Sequence, residues 1–206
     1  MTASDLAHFR QHLSRDRGMK PASVNRKLEA LRRFCRWAHA ARKLRINVAA
    51  GLKLKRVPRG TRPKGLAASE VQALLRVAGQ SRRSLAQRNY ALVQLLLQAG
   101  LRVSEAAALR IGDLEIRERH GKVHIRGKGE KERDVPLNAT ARRALQNYLD
   151  ERRDAGADAP VFLSEGGALS VRSMQSLVSE LARRARIARV PVSAHTLRHT
   201  FALSYL

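Results

Sequence analysis

The chain has 206 residues, 41 of them Lys or Arg against 17 Asp or Glu, for a formal charge of +24. Such an excess opposes compaction unless a polyanion is bound; it points to nucleic acid, with an anionic membrane surface as the lesser alternative. No apolar run reaches the roughly 18 residues of a spanning helix, the opening residues are amphipathic rather than signal-like, and the single Cys35 excludes an internal disulfide and a cysteine zinc cluster.

Charge is divided unevenly. The first 65 residues carry a net +15 and the remainder +9. Hydrophobic residues make up 44% and aromatics only 4%, so a core must be built from Leu, Val, Ile and Ala. Cys35 reads as a buried structural thiol, and a reducing cytosol fits this usage.

Residues 5–17 predict a helix with Leu6, Phe9 and Leu13 on one side and Ser4 as N-cap. Residues 23–41 predict a longer helix. Leu28, Leu31, Phe34, Cys35 and Ala38 form its buried stripe, and Trp37 is read as packing. Arg26, Lys27, Arg32, Arg33 and Arg36 occupy much of the remaining surface, as phosphate contacts would. Two helices make a thin domain. Either a partner helix precedes Met1 in the natural protein, or the pair leans on the segments C-terminal to it.

Residues 52–65 form a linker with Pro58 and Pro63, two glycines, no acid, and the cations Lys53, Lys55, Arg56, Arg59, Arg62 and Lys64. Prolines and like charges keep such a segment extended, so it can follow a phosphate backbone as a strap.

Ser69 is expected to cap the next helix, with Gln72 completing a capping box and Val71, Leu74, Leu75 and Val77 following. Residues 84–99 form the most apolar helix, stopped by Gly100. A short helix then starts at Ser104 or Val103. Arg102 stands at the junction between apolar helices, where a cation is costly unless an anion meets it, and Glu105 is the nearest candidate. Residues 113–120, 122–126 and 131–136 read as three strands. The second turn sets Lys128 between Gly127 and Gly129, which permit close approach of a ligand; Lys131 is its rival. Helices are expected over 138–153 and 170–188, with an extended piece at 161–164. The last segment, SAHTLRHTFALSYL, crowds His195, Thr196, Arg198 and His199 together. As a helix it sets His195 and Arg198 at i and i+3 and turns Leu197, Phe201 and Ala202 inward. A cation beside an imidazole suits holding a phosphate and moving a proton.

The stretches AGLRVSEAAALRIGD, RGKGEKERDVPL and SAHTLRHTFA occur in this order, and SVNRKLEALRRFCRWAHAARKLRINVA precedes them. In order and spacing they resemble the tyrosine recombinases, or phage-type integrases, over nearly the whole chain. The resemblance implies a mainly α fold with a small antiparallel β-sheet (α+β), of the DNA breaking-rejoining type, preceded by a partial helical, SAM-like core-binding domain. The implied division is 1–51 core-binding, 52–65 linker and 66–206 catalytic.

It further implies that Arg102 and Arg198 hold the nonbridging oxygens of the scissile phosphate. Lys128 protonates the leaving 5′ oxygen, His195 takes part in proton transfer, and Glu105 and His199 support them. DNA contacts fall to Arg26, Lys27, Arg32, Arg33, Lys53, Lys55, Arg56, Arg59 and Arg62. Double-stranded DNA is the partner, bound by a homo-oligomer of the full-length protein. No metal, cofactor or membrane enters, and the location is cytoplasmic, at the nucleoid. The family's nucleophilic tyrosine follows on a later helix. Tyr205 lies seven residues past Arg198, roughly 10 Å along a helix, and is not read as that group. Tyr90 and Tyr148 sit in mid-helix. The expectation is therefore a C-terminally incomplete catalytic domain that binds DNA without cleaving it. Extension by about forty codons should bring a nucleophile within reach. Two alternatives stay open: a non-catalytic DNA-binding regulator or competitor on the same fold, and an RNA-associated basic protein.

Overall fold

The computed structural model describes residues 2–57, 65–80, 83–127, 132–152 and 155–204. The chain divides into two compact units, Met1–Thr61 and Arg62–Leu206. Among the described residues no helix is long and apolar enough to cross a membrane.

The first unit contains α1 (Ala3–Ser14) and α2 (Pro21–Ala40). Thr2, not Ser4, caps α1. Its hydroxyl accepts the Asp5 N–H at 3.2 Å while the Asp5 carboxylate accepts the Thr2 N–H at 2.6 Å. A reciprocal box needs an acid three residues on, which Thr2 has and Ser4 lacks. Helix α2 begins at Pro21, where a missing N–H costs nothing. Its buried row is Val24, Leu28, Cys35 and Ala38, packed with Leu6, Leu13 and Ala49. Phe34 and Trp37, expected in packing, are 53% and 60% exposed. Each precedes a buried residue by one, and so is rotated off the row. The two rings lean on each other instead, centroids 5.8 Å apart.

The start of the basic linker is fastened to this unit. Asn25 donates to the Lys55 carbonyl and accepts the Lys55 N–H, both at 2.8 Å, and Arg10 donates to the Lys53 carbonyl at 3.2 Å. Residues 53–57 are thereby held without regular structure, and the side chains of Lys53, Lys55 and Arg56 stay exposed. Arg59 and Arg62 lie outside the described residues.

The second unit is built on α4 (Arg83–Ala99), whose residues 91–97 are all buried. Around it pack α3 (Ala68–Gly79), α6 (Ala139–Leu149) and α8 (Ala194–Leu203), with α5 (Val103–Ala108) and α7 (Val171–Arg184) completing the layer. Helix α3 is entered at Ala67, and Glu70 rather than Gln72 reaches back to its N–H at 2.7 Å. Asn138 and Ser170 cap α6 and α7 through their side-chain oxygens. Helix α7 ends at Arg184, short of residue 188, as the chain turns through Arg186 at φ 54.

An antiparallel sheet of β1 (Leu114–Ile116), β2 (Gly121–Arg126) and β3 (Glu132–Pro136) lies in chain order. The first strand is shorter than expected: from Arg117 the chain turns back, with the Arg117 N–H donating to the His120 carbonyl. Its partner β2 alternates, with Val123 and Ile125 buried. Register pairs Ile125 with Arg133 and Val123 with Val135, so Arg133 belongs to the inward row. A second small ribbon pairs β4 (Leu163–Ser164) with β5 (Gly167–Ala168).

Candidate active site

The site is assembled at the end of the central helix. Gly100 follows α4 in the left-handed region, φ +59, and turns the chain toward Arg102. Arg102 occupies the N-cap position of α5. The Glu105 side chain reaches back to its N–H at 2.8 Å and also accepts from its Nη1 at 2.9 Å. The expected Arg102–Glu105 pair is therefore present. Arg102 itself is not enclosed, however: its side chain is 62% exposed, while that of Glu105 is 8% exposed.

Glu105 has a second clamp that sequence reasoning missed. Arg133 of β3 donates from Nη1 to Oε1 at 3.1 Å and from Nη2 to Oε2 at 2.9 Å. The local signal was faint. In the run Glu132-Arg133-Asp134 a strand puts the arginine on the face opposite the two acids.

Burial pushes the Glu105 carboxyl up, but hydrogen bonds from Arg133 and from the backbone and side chain of Arg102 outweigh it and bring it down to about 2. Because this value lies below the ordinary 4.5, Glu105 contributes its full stabilisation above pH 4.5 and loses it as the pH falls toward 2. Equilibrium unfolding measured against pH should therefore show an acid limb that flattens over this window in Glu105→Gln. An unchanged limb would contradict the clamp.

Arg102, Ser104, Glu105, Ala108, Arg126 and Arg133 line an open cleft of about 820 Å³, together with Gly127 and Glu132 at the mouth of the β2–β3 hairpin. Lys128 and Lys131, the two candidates on that hairpin, lie outside the described residues. Arg126 Nη2 stands 3.3 Å from Asp113 Oδ1. On the outer face of the hairpin His124 Nδ1 sits 2.8 Å from Asp134, which also accepts from Lys122 at 2.8 Å. Asp134 raises the His124 pKa by this hydrogen bond, and Lys122 and His124 hold Asp134 below the ordinary carboxylate value.

The remaining described candidates, His195, Arg198 and His199, lie on α8. Ser193 caps it, accepting the Thr196 N–H at 3.3 Å, and Leu197 anchors it in the core. Arg198, half-buried, donates from Nη1 to the Gly100 carbonyl at 2.6 Å. This contact brings the second arginine to the root of the turn that carries the first. His195 is exposed, with its ring 4.3 Å from that of His199 in an edge-on arrangement. Ala202 faces solvent rather than the core. Thr200 Oγ1 accepts the Leu66 N–H at 2.9 Å, tying the entry to α3 onto this helix. Arg189, just ahead of the helix, grips Glu70 at 2.6 Å and 3.1 Å.

The tyrosines divide plainly. Tyr148 is buried against Phe162, and the Tyr90 hydroxyl accepts from Gln94 at 3.0 Å. Tyr205 lies outside the described residues. Among the DNA-contact candidates, Arg26, Lys27 and Arg33 are exposed, and Arg32 pairs with Glu29 at 3.3 Å.

Known proteins resemble the chain over most of its length. The phage integrase family matches residues 64–206. A tyrosine recombinase XerC of Xanthomonas axonopodis pv. citri (strain 306) is 36% identical over 203 residues, covering 96% of this chain and 64% of that protein. The XerC of Neisseria gonorrhoeae (strain ATCC 700825 / FA 1090) is 34% identical, covering 90% of this chain and 60% of its own length. The chain thus spans less than two thirds of both relatives. Among solved structures, XerA recombinase aligns with a TM-score of 0.61 and 26% identity, over 99% of this chain and 68% of its own. XerH bound to a difH substrate aligns with a TM-score of 0.77 over 100% of this chain and 60% of its own. At 24% identity the latter likeness is one of fold.

Proposed function

Because the chain belongs to the phage integrase family, we propose that its fold serves site-specific DNA recombination: strand cleavage and rejoining through a 3′-phosphotyrosyl intermediate. The observation that carries this reading is the Arg198–Gly100 hydrogen bond, which brings a guanidinium distant in sequence onto the backbone carbonyl two residues before Arg102. The planar fork of a guanidinium matches a pair of phosphate oxygens. The role of Arg102 and Arg198 is to stabilise the additional negative charge of the pentacoordinate phosphorus.

Lys128 donates a proton to the departing 5′ oxygen, and His195 moves the nucleophile's proton, with His199 against its ring. Glu105 holds Arg102. The cleaved strand remains joined to the protein through a phosphodiester, so bond energy is kept and rejoining to a second DNA end needs no nucleotide cofactor. The guanidiniums carry the positive charge in this scheme, without a metal.

Double-stranded DNA is the proposed partner. The exposed cations of α2 and the fastened start of the linker supply sequence-independent grip. The full-length protein acts as a homo-oligomer on DNA at the nucleoid, in the cytoplasm.

The test has two stages. Duplexes selected by this chain from a random pool should bind with an affinity that falls steeply with salt. On the selected site, nicked to trap the intermediate, the full-length protein should form a detergent-resistant adduct. Specific binding with no adduct would favour the non-catalytic DNA-binding alternative, and equal competition by RNA would defeat both.

A further inference from the structure

On the recombinase reading above, we propose that Arg133 is a positioning residue: through Glu105 it fixes the guanidinium of Arg102 relative to the β2–β3 hairpin. Four hydrogen bonds converge on the one carboxylate, two from Arg133 and two from Arg102. Both of its oxygens are occupied from both sides, so the Arg102 side chain is held by an acid that is itself unable to swing. An exposed arginine tied by one flexible glutamate would sample many rotamers; a glutamate gripped by a second, bidentate arginine does not.

The placement of Arg133 in the sheet makes the link more than local. It is the second residue of β3, five positions after Lys128 in the sequence, and it lies on the inward row opposite Ile125. Its neighbours Glu132 and Asp134 belong to the outer face, where Asp134 pairs with Lys122 and His124. One strand is thus fastened on both faces: outward to β2 and inward to α5. The other foot of the hairpin has a matching tie, Arg126 to Asp113, a carboxylate whose own backbone segment directly follows α5. The two arginines at the hairpin mouth therefore dock it onto the stretch that begins with Arg102. The two strands that flank Lys128 in the chain are thereby tied to the segment that carries the proposed phosphate ligand. A small misplacement of Lys128 or Arg102 costs rate steeply, because both must meet a single phosphate group.

Adduct formation by the full-length protein decides the matter. The substrate is the selected nicked duplex, with either an ordinary phosphodiester or a single methylphosphonate at the cleaved position. The methyl group removes the charge that Arg102 neutralises. Arg133→Ala is expected to slow the phosphodiester about tenfold to a hundredfold, with a duplex affinity close to that of the unaltered protein. Its deficit should shrink on the methylphosphonate, as should that of Arg102→Ala. The double variant should be little worse than Arg102→Ala alone. Arg133→Lys should recover only part of the rate, since one ammonium does not span two carboxylate oxygens in plane.

A merely structural role would slow both substrates alike, and that result overturns the proposal, as does an undiminished rate in Arg133→Ala. If that variant does not fold, Arg133→Gln, which keeps the stem and one donor group, is read in the same way. Absence of adduct from the unaltered protein defeats the recombinase reading and this role together. A fast adduct in both the unaltered protein and the variant defeats only the role.

Discussion

Arg198→Ala is expected to lower adduct formation by about a hundredfold to a thousandfold while the affinity for the same duplex changes by less than about tenfold, since one phosphate contact among many is lost. The reason lies in what the guanidinium touches. One of its nitrogens is committed to the Gly100 carbonyl, which fixes the plane of the fork and leaves the remaining N–H groups to meet an anion. In the proposed role their contribution grows as charge builds on phosphorus, so it is expected in the rate rather than in binding. Arg198→Lys should fall between, keeping a charge but not the planar fork. Single-turnover trapping beside a binding isotherm separates the two effects. A loss that appears wholly in affinity would remove Arg198 from the reacting centre.

Gly100→Ala should unfold the second unit at markedly lower temperature. Two costs add there. The backbone sits at φ +59, which an alanine adopts only with strain, and an added Cβ would overlap the ring of Phe201. Phe201 belongs to α8, so relief means moving the helix that carries His195 and Arg198. Left-handed strain and overpacking together come to about 3 kcal/mol. Calorimetry on the variant gives the stability loss directly. Displacing α8 also lengthens the Arg198–Gly100 hydrogen bond, so the adduct rate should fall more than the stability change alone implies. A variant that melts like the unaltered protein would mean that α8 does not press on this turn.

The aromatic positions show where periodicity stops being enough. Leu28, Cys35 and Ala38 are buried as their spacing indicates, but Phe34 and Trp37 lie one step off that row and are exposed. Hydrophobicity of type made them look like core; the angular position around the helix decided otherwise. The caps fail in a similar way. Ser4 and Ser69 have the right chemistry, yet Thr2 and Ala67 are the true entry points because their third residues, Asp5 and Glu70, can reach back. Which of two neighbouring candidates caps a helix turns on a single reciprocal hydrogen bond.

Everything carried by neighbours along the chain is legible in the order of residues alone. That includes the sign and partition of charge, the central helix and its glycine stop, the hairpin, and the i to i+3 pairing of Arg102 with Glu105. That Arg198 meets the Gly100 carbonyl and that Arg133 closes on Glu105 from the far side emerges once the elements have packed together. Contacts of that kind depend on how α8 and β3 pack around α4 and α5. Packing is set by the sum of many weak apolar contacts, and it leaves no signature in the residues immediately beside the arginine that it brings into place.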